Sequence, residues 1–286
     1  MRENPLRVQP QRRWGQNFLV NQGAADSIVA GFRPRADDLV LEIGPGKGVL
    51  THRLAGRVGS LVAVEIDPDL AGALRAEFAG NAGLRIIHGD ILRIDLRAAL
   101  AELGATPGRR ARVIANLPYN IATAVILKLL GERARLSDML VLVQREVAER
   151  MASPPGRRSY GGLSVLCQVR ARVEVLLKLR PGSFRPVPKV DSALVRLTPR
   201  APDEETPPTG GGVSDEALEA LLRVAFGRRR KTLANNLASL PGPTGTPFGS
   251  EAARRLIVAA GLDPGARPEA IPVEGFLALV RLRNTL

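Results

Sequence analysis

The stretch Leu41–Leu50, "LEIGPGKGVL", decides the fold. An apolar run, "DLVLEI" (38–43), passes directly into three alternate glycines, Gly44, Gly46 and Gly48, and then into a segment with helical spacing. Glycines at such a junction permit a tight turn and let a ligand approach the backbone closely. A dinucleotide fingerprint wants G-x-G-x-x-G, whereas this loop spells G-x-G-x-G, and Val49 stands where the third dinucleotide glycine belongs. Alone, the loop is compatible with any tight strand-to-helix turn.

Its surroundings narrow the reading. Further apolar runs follow at "SLVAVEI" (60–66), "LRIIHGD" (84–90), "ARVIANL" (111–117) and "MLVLVQ" (139–144), nearly continuous in the manner of parallel strands buried on both faces. "GVLTHRLAGRV" and "PDLAGALRAEFAG" between them carry apolar residues at helical spacing, so the pattern predicts a doubly wound α/β sheet with right-handed crossovers. Two more runs, 165–179 and 192–199, have no helix-length segment between them and predict an antiparallel pair at the sheet edge. The second strand ends in Glu65, placed to accept both hydroxyls of a ribose, and the third in Asp90, placed to receive an adenine amino group. Three successive strand ends bearing a glycine loop, a glutamate and an aspartate predict an adenosine-bearing cofactor that need not present a pyrophosphate.

The fourth strand ends in "NLPY", Asn116–Tyr119. Proline explains the turn, because it cannot extend a central strand, but not the amide and phenol that flank it.

After residue 200 the composition changes. "TPRAPDEETPPTGGGV" (198–213) is polar and rich in Pro and Gly, as linkers are. Ser214 can cap a helix with an acidic first turn, Asp215 and Glu216, and with Leu218, Leu221, Leu222 and Ala225 on one face. Helices over about 251–260, stopped by Gly261, and over "VEGFLALVRLR" complete a small helical domain. The expected organisation is a catalytic domain over 1–200 with a basic arm at 1–15, a linker at 201–213 and a helical domain at 214–286.

The 286 residues are 45% hydrophobic and 3% aromatic, enough for a substantial core, and no apolar run approaches bilayer-crossing length. The basic N-terminus has no apolar signal core behind it. The lone Cys167 excludes an internal disulfide, reads as a small buried thiol in a strand, and fits a reducing cytoplasm. Net charge is +13 and the isoelectric point about 11.2, which point to a polyanionic partner. The charge is clustered at Arg12–Arg13, Arg157–Arg158, Lys178/Arg180/Arg185/Lys189 and 228–231, and no strong basic amphipathic helix suggests membrane binding. His52 and His88 read as a helix-surface and a strand-end residue, implying neither metal nor histidine catalysis.

"EIGPGKG", "VEID", "GD" and "NLPY" together resemble the class I S-adenosylmethionine-dependent methyltransferases. "GQNFLVN", "NLPYNIAT", "LVQREVAERM", "PGSFRPVPKVDSALVRL" and "FGRRRKTLANNL" narrow the resemblance to the small-subunit ribosomal RNA adenine dimethyltransferases, from about residue 11 to the end. It implies a seven-stranded Rossmann-like sheet with an antiparallel edge strand, S-adenosyl-L-methionine as cofactor, and dimethylation of two adjacent adenines in the 3′-terminal hairpin of small-subunit ribosomal RNA. The partner it implies is the 30S subunit or its precursor, met by a monomeric cytoplasmic enzyme. It assigns cofactor contacts to Gln16, Asn17, Leu19, the Gly44–Gly46–Gly48 loop, Glu65 with Ile66, Asp90 with Ile91, and Asn116. Phe184 matches the residue that closes over the second face of the target base, read here as an exposed loop aromatic. Arg185, Lys189, Arg228, Arg229, Arg230 and Lys231 are the expected RNA contacts.

The resemblance gives NLPY a chemical reading. An exocyclic adenine amine is a poor nucleophile because its lone pair is delocalised into the ring. Acceptors aimed at its two N–H bonds, the Asn116 side-chain oxygen and the Leu117 carbonyl held by Pro118, would turn that lone pair toward a sulfonium methyl. Tyr119 would offer a stacking face to the flipped base. Two departures stand out: Ala122, Thr123 and Ala124 replace the family's usual Ser, small residue and Pro, removing one hydroxyl, and the linker is unusually long. The rivals are a large-subunit methyltransferase of the antibiotic-resistance type and a non-catalytic ribosome-assembly factor; a DNA adenine methyltransferase should carry a recognition insert, and none is evident.

Overall fold

The computed structural model describes residues 14–200, 213–228, 230–241 and 246–283. They belong to two compact units, Met1–Ala148 with Ala171–Pro202, and Glu149–Arg170 with Asp203–Leu286. The chain begins β1 (Phe18–Leu19), α1 (Gln22–Phe32), β2 (Leu39–Ile43), α2 (Thr51–Leu54), β3 (Ser60–Glu65), α3 (Pro68–Glu77) and β4 (Leu84–His88). It continues α4 (Leu96–Glu102), β5 (Ala111–Asn116), α5 (Ala122–Gly131), β6 (Leu136–Gln144), α6 (Arg145–Met151) and α7 (Gly162–Arg170). Then come β7 (Ala171–Leu179), β8 (Phe184–Arg185), β9 (Ser192–Pro199), α8 (Asp215–Ala225), α9 (Leu233–Leu237), α10 (Gly249–Ala259) and α11 (Val273–Arg283).

Seven strands form one sheet in the order β4-β3-β2-β5-β6-β9-β7. The first five are parallel, and β9 runs against both of its neighbours, so the expected antiparallel pair does occupy one edge. Every residue of β2 is buried, as a central strand covered on both faces requires. The chain leaves β2 toward β3 and β4, then returns to add β5 on the other side. The strand order therefore reverses between β2 and β5, where an open α/β sheet forms its ligand crevice. Helix starts follow local chemistry: Asn21, Asp67, Asp95, Ser214 and Thr232 each cap a helix by accepting backbone N–H bonds, and Pro68 occupies the first turn of α3.

Two expectations need correction. Residues 162–170 are helical rather than part of a strand running from 165. Cys167 is thus a buried helical thiol, and burial pushes its pKa up to about 12. The apolar run is continuous across this junction, so neither period stands out. Local bonds start the helix, Gly161 N–H to Ser164 Oγ at 3.0 Å and Ser164 Oγ to the Arg150 carbonyl.

The second correction concerns the boundary at 200, because Glu149–Arg170 sorts with the C-terminal helices. Within that unit Tyr160 donates its hydroxyl to the Ile271 carbonyl (2.9 Å) and sets its ring edge-on to Phe226. The buried Arg170 guanidinium pairs with Glu219 at 2.8 Å and Asp215 at 3.3 Å. A charge this deeply buried needs such partners, and contacts 49 and 111 residues away in sequence leave no mark on local pattern. Of the expected linker only Val213 lies within the described residues. Among the described residues no helix is long and apolar enough to cross a membrane.

Candidate active site

A cavity opens at the strand-order reversal, walled by the carboxyl ends of β2, β3, β4 and β5 and covered by the segment Trp14–Phe18. Gly44, Gly46, Glu65, Ile66, Asp90 and Ile91 line one half, and Asn116, Leu117, Pro118 and Tyr119 the other, with Gln16 and Asn17 between them. The fold thus brings together most of the residues singled out from the sequence.

The glycine loop is shaped by what crowds it. Gly46 has φ +57°, and a Cβ there would stand 3.0 Å from the Phe18 ring. Any side chain would strain the backbone and push β1 away. Gly48 sits outside the cavity lining; it too has positive φ, and a Cβ would meet the His52 ring and Leu74 under 3 Å. The crowding there shapes the turn itself.

Glu65 is 3% exposed. Its Oε2 accepts the Gly46 N–H at 2.9 Å and its Oε1 the Asp67 N–H at 3.0 Å, with no cation paired to it among the described residues. Burial therefore raises its pKa, opposed by those backbone donors. Behind it Glu42, 1% exposed and receiving the Thr51 hydroxyl at 2.8 Å, is pushed up by burial to about 7. This arrangement discriminates between cofactors. In dinucleotide sites the loop amides face a pyrophosphate; here the Gly46 amide already serves a carboxylate, which would repel a phosphate. A nucleoside whose far end carries positive charge fits the same donor set, with Glu65 facing a ribose diol.

The third strand end is held by its own turn. Asp90 accepts the Leu92 N–H at 2.9 Å and lies 3.6 Å from Arg93. Lys128, on α5, donates to the carbonyls of Leu92 (2.9 Å) and Ile94 (2.7 Å), tying the Asp90 loop to the helix that follows NLPY. Gln16 bonds across the cavity mouth to Asp67 Oδ2 at 3.3 Å.

In the NLPY half, Asn116 ends β5 and donates its side-chain N–H to the Asn17 carbonyl at 3.0 Å. That bond orients the amide and leaves Oδ1 as its acceptor. The Leu117 N–H continues the ladder to the Leu142 carbonyl, and Ile121 N–H closes the turn on the Pro118 carbonyl (3.2 Å). Tyr119 is braced by a 2.7 Å hydrogen bond between its hydroxyl and Ser192 Oγ, and its burial raises its pKa. Helix α5 starts at Ala122 behind Ile121, whose side chain offers no cap.

Leu19 and Phe184 lie outside the cavity lining. Phe184 is 1% exposed, not an exposed loop aromatic: β8 pairs with β1, Leu19 opposite Phe184, and both side chains join the apolar core. Arg185, Lys189, Arg228, Arg230 and Lys231 are exposed, while Arg229 lies outside the described residues. Among the lining residues that sequence reading missed are Trp14, Phe18, Asn120 and Ile121. The crowding of Gly46 by Phe18 is the nearest thing to a signal, and it depends on the β1–β8 pairing.

The profile of the family described as Ribosomal RNA adenine dimethylase matches residues 8–248. The "Ribosomal RNA small subunit methyltransferase A" of Chromohalobacter salexigens is 43% identical over 99% of this chain and 94% of its own. The protein of the same description from Geobacter metallireducens is 41% identical over 98% and 97%. Among solved structures, a dimethyladenosine transferase from Plasmodium falciparum superposes with TM-score 0.75 at 25% identity, covering 94% of this chain and 98% of that one. The 23S rRNA methyltransferase ErmE gives 0.64 at 25%, covering 94% and 100%. The cavity's donor set, the NLPY turn and these likenesses converge: the chain belongs to the ribosomal RNA adenine dimethylase family.

Proposed function

We propose that this protein transfers methyl groups from S-adenosyl-L-methionine to the exocyclic nitrogen of two adjacent adenines in the 3′-terminal hairpin of small-subunit ribosomal RNA, giving dimethyladenosines during ribosome biogenesis. The observation that carries the reading is the pairing of a phosphate-repelling nucleoside site, Glu65 on the Gly46 amide, with Asn116 held by Asn17 at the next strand end but one.

The cofactor supplies a methyl group already activated as a sulfonium, so the chain's task is holding and aiming. Glu65, with Ile66, would hold the ribose, and Asp90, with Ile91, the adenine. Asn116 Oδ1 and the Leu117 carbonyl would accept the two N–H bonds of the target amine, and Tyr119, locked by Ser192, would present its ring to the base. No side chain need remove a proton before transfer. Trp14–Phe18 lines the cavity and would shield a bound cofactor from water. Phe184, packed in the core, supports β1 from behind rather than meeting the base.

The small-subunit reading is favoured over the large-subunit one by relatives about 40% identical along nearly the whole chain, against 25% for ErmE. The substrate would be the 30S subunit or a precursor, met in the cytoplasm by a monomer. Arg185 and Lys189 in the first unit, and Arg228, Arg230 and Lys231 in the second, would take phosphates. Mass spectrometry of ribosomal RNA from cells with and without the protein tests this: adjacent dimethyladenosines near the small-subunit 3′ end should vanish on deletion. Their persistence, or a loss confined to large-subunit RNA, would refute it.

A further inference from the structure

At the opposite end of the strands from Asn116, the starts of β2, β5 and β6 surround a polar notch. Six residues of β5 separate the two ends, about 20 Å of extended chain. The floor of the notch is neutral: Arg112 bridges Asp38 and Asp138, and Arg196 takes the other oxygen of Asp138 at 3.1 Å. The rim is not. Arg35, Arg109 and Arg110 are exposed, and among the described residues none of their guanidinium groups makes a hydrogen bond or ion pair. Asp37 is the single opposing carboxylate of the lining not already engaged by a cation, which leaves an excess of two positive charges.

Both arms that carry these arginines are rigid. Thr106 and Arg109 exchange backbone bonds of 3.0 and 3.1 Å, and the Arg109 N–H also meets Thr106 Oγ1. Asp38 N–H bonds the Arg35 carbonyl at 3.1 Å while Arg35 N–H returns to Asp38 Oδ2 at 2.9 Å. The backbone that carries these guanidinium groups is already ordered, so what an arriving oxyanion must fix is the side chains. Among the described residues no aromatic ring lines the notch to stack a base, and no apolar residue larger than Leu39 lines it to enter a bilayer. What fits is a run of phosphates read without sequence.

We infer that Arg35, Arg109 and Arg110 form a second RNA-backbone site, which grips substrate RNA away from the target adenine. The choice of RNA rests on the function proposed above. The test is equilibrium binding of the full chain to unmethylated small ribosomal subunits across a salt series, for wild type, the triple Arg→Gln variant and the triple Arg→Lys variant. Each phosphate contact contributes about 0.7–0.9 to the slope of log K against log salt. The glutamine variant should lose about 2 of slope and bind roughly tenfold or more weakly at low salt. It should keep wild-type turnover at saturating subunits and wild-type affinity for S-adenosylmethionine, which shows that it is folded. The lysine variant should keep most of the slope. An unchanged slope in the glutamine variant would overturn the site, as would equal losses in both variants. If wild type fails to methylate the subunits at all, it is the proposed function that has failed.

Discussion

Glu65 and Asp138 stand near opposite ends of the same sheet, and their surroundings differ in kind. Asp138 is met by two guanidinium groups, Arg112 and Arg196, and its charge is neutralised where it stands. Glu65 is met by backbone amides, those of Gly46 and Asp67 foremost, and by no cation among the described residues, with a second acid, Glu42, nearby. At the Asp138 end the buried charges are paired and hold the fold, with free charge confined to the exposed rim, whereas at the Glu65 end buried carboxylates stand without a cation among the described residues. Buried carboxylates with raised pKa values are costly in an unliganded protein, so they mark a cavity that expects a ligand.

Several changes would break or sharpen that contrast. Arg112→Ala should produce the largest loss of stability, about 2–4 kcal/mol by urea unfolding, because Asp38 and Asp138 would lose their shared partner at the packed end of the sheet. A loss below about 0.5 kcal/mol would mean this end is not braced by charge.

Glu42 gives the contrast a pH dependence. Its folded pKa of about 7 lies above its value in the unfolded chain, so the native state holds the proton more tightly. That contribution is fully present below about pH 4.5 and is lost as pH rises through 7, on the order of 3 kcal/mol in all. Glu42→Gln, read by thermal unfolding from pH 5 to 8, should flatten this loss; a parallel profile would show that Glu42 is ionised throughout.

Smaller effects belong to the cofactor half. Glu65→Ala should weaken S-adenosylmethionine binding ten- to a hundredfold by calorimetry, about 1.4–2.7 kcal/mol, and unaltered affinity would remove Glu65 from the site. Lys128→Ala should weaken it about fivefold by freeing the Leu92 and Ile94 carbonyls, while Lys128→Arg should restore much of the loss. An alanine variant that binds normally would leave Lys128 a surface brace.

The same contrast explains what the sequence revealed. Gly44, Glu65, Asp90 and Asn116 were legible because each ends or closely follows a strand whose apolar run is itself legible, and topology carries strand ends to one place. Phe184 was misread because exposure was inferred from neighbouring prolines, whereas two-residue pairing with β1, too short to register as a pattern, buries it. The same pairing positions Phe18 over Gly46, so that part of the lining was invisible as well. The segment 149–170 was assigned to the wrong unit for a related reason: Tyr160 and Arg170 find their partners more than 40 residues away. Local pattern reports local structure, and these features are made by distant contacts.

Asn116 is the residue on which methyl transfer should depend most. Single-turnover methyl transfer to unmethylated small ribosomal subunits, with S-adenosylmethionine affinity measured on the same preparations, should show Asn116→Ala binding cofactor within a few-fold of wild type. Transfer itself should be at least about a hundredfold slower, the scale on which removal of a transition-state hydrogen-bond partner acts. Transfer at the wild-type rate would contradict the assignment of the target amine to this carboxyl-end turn.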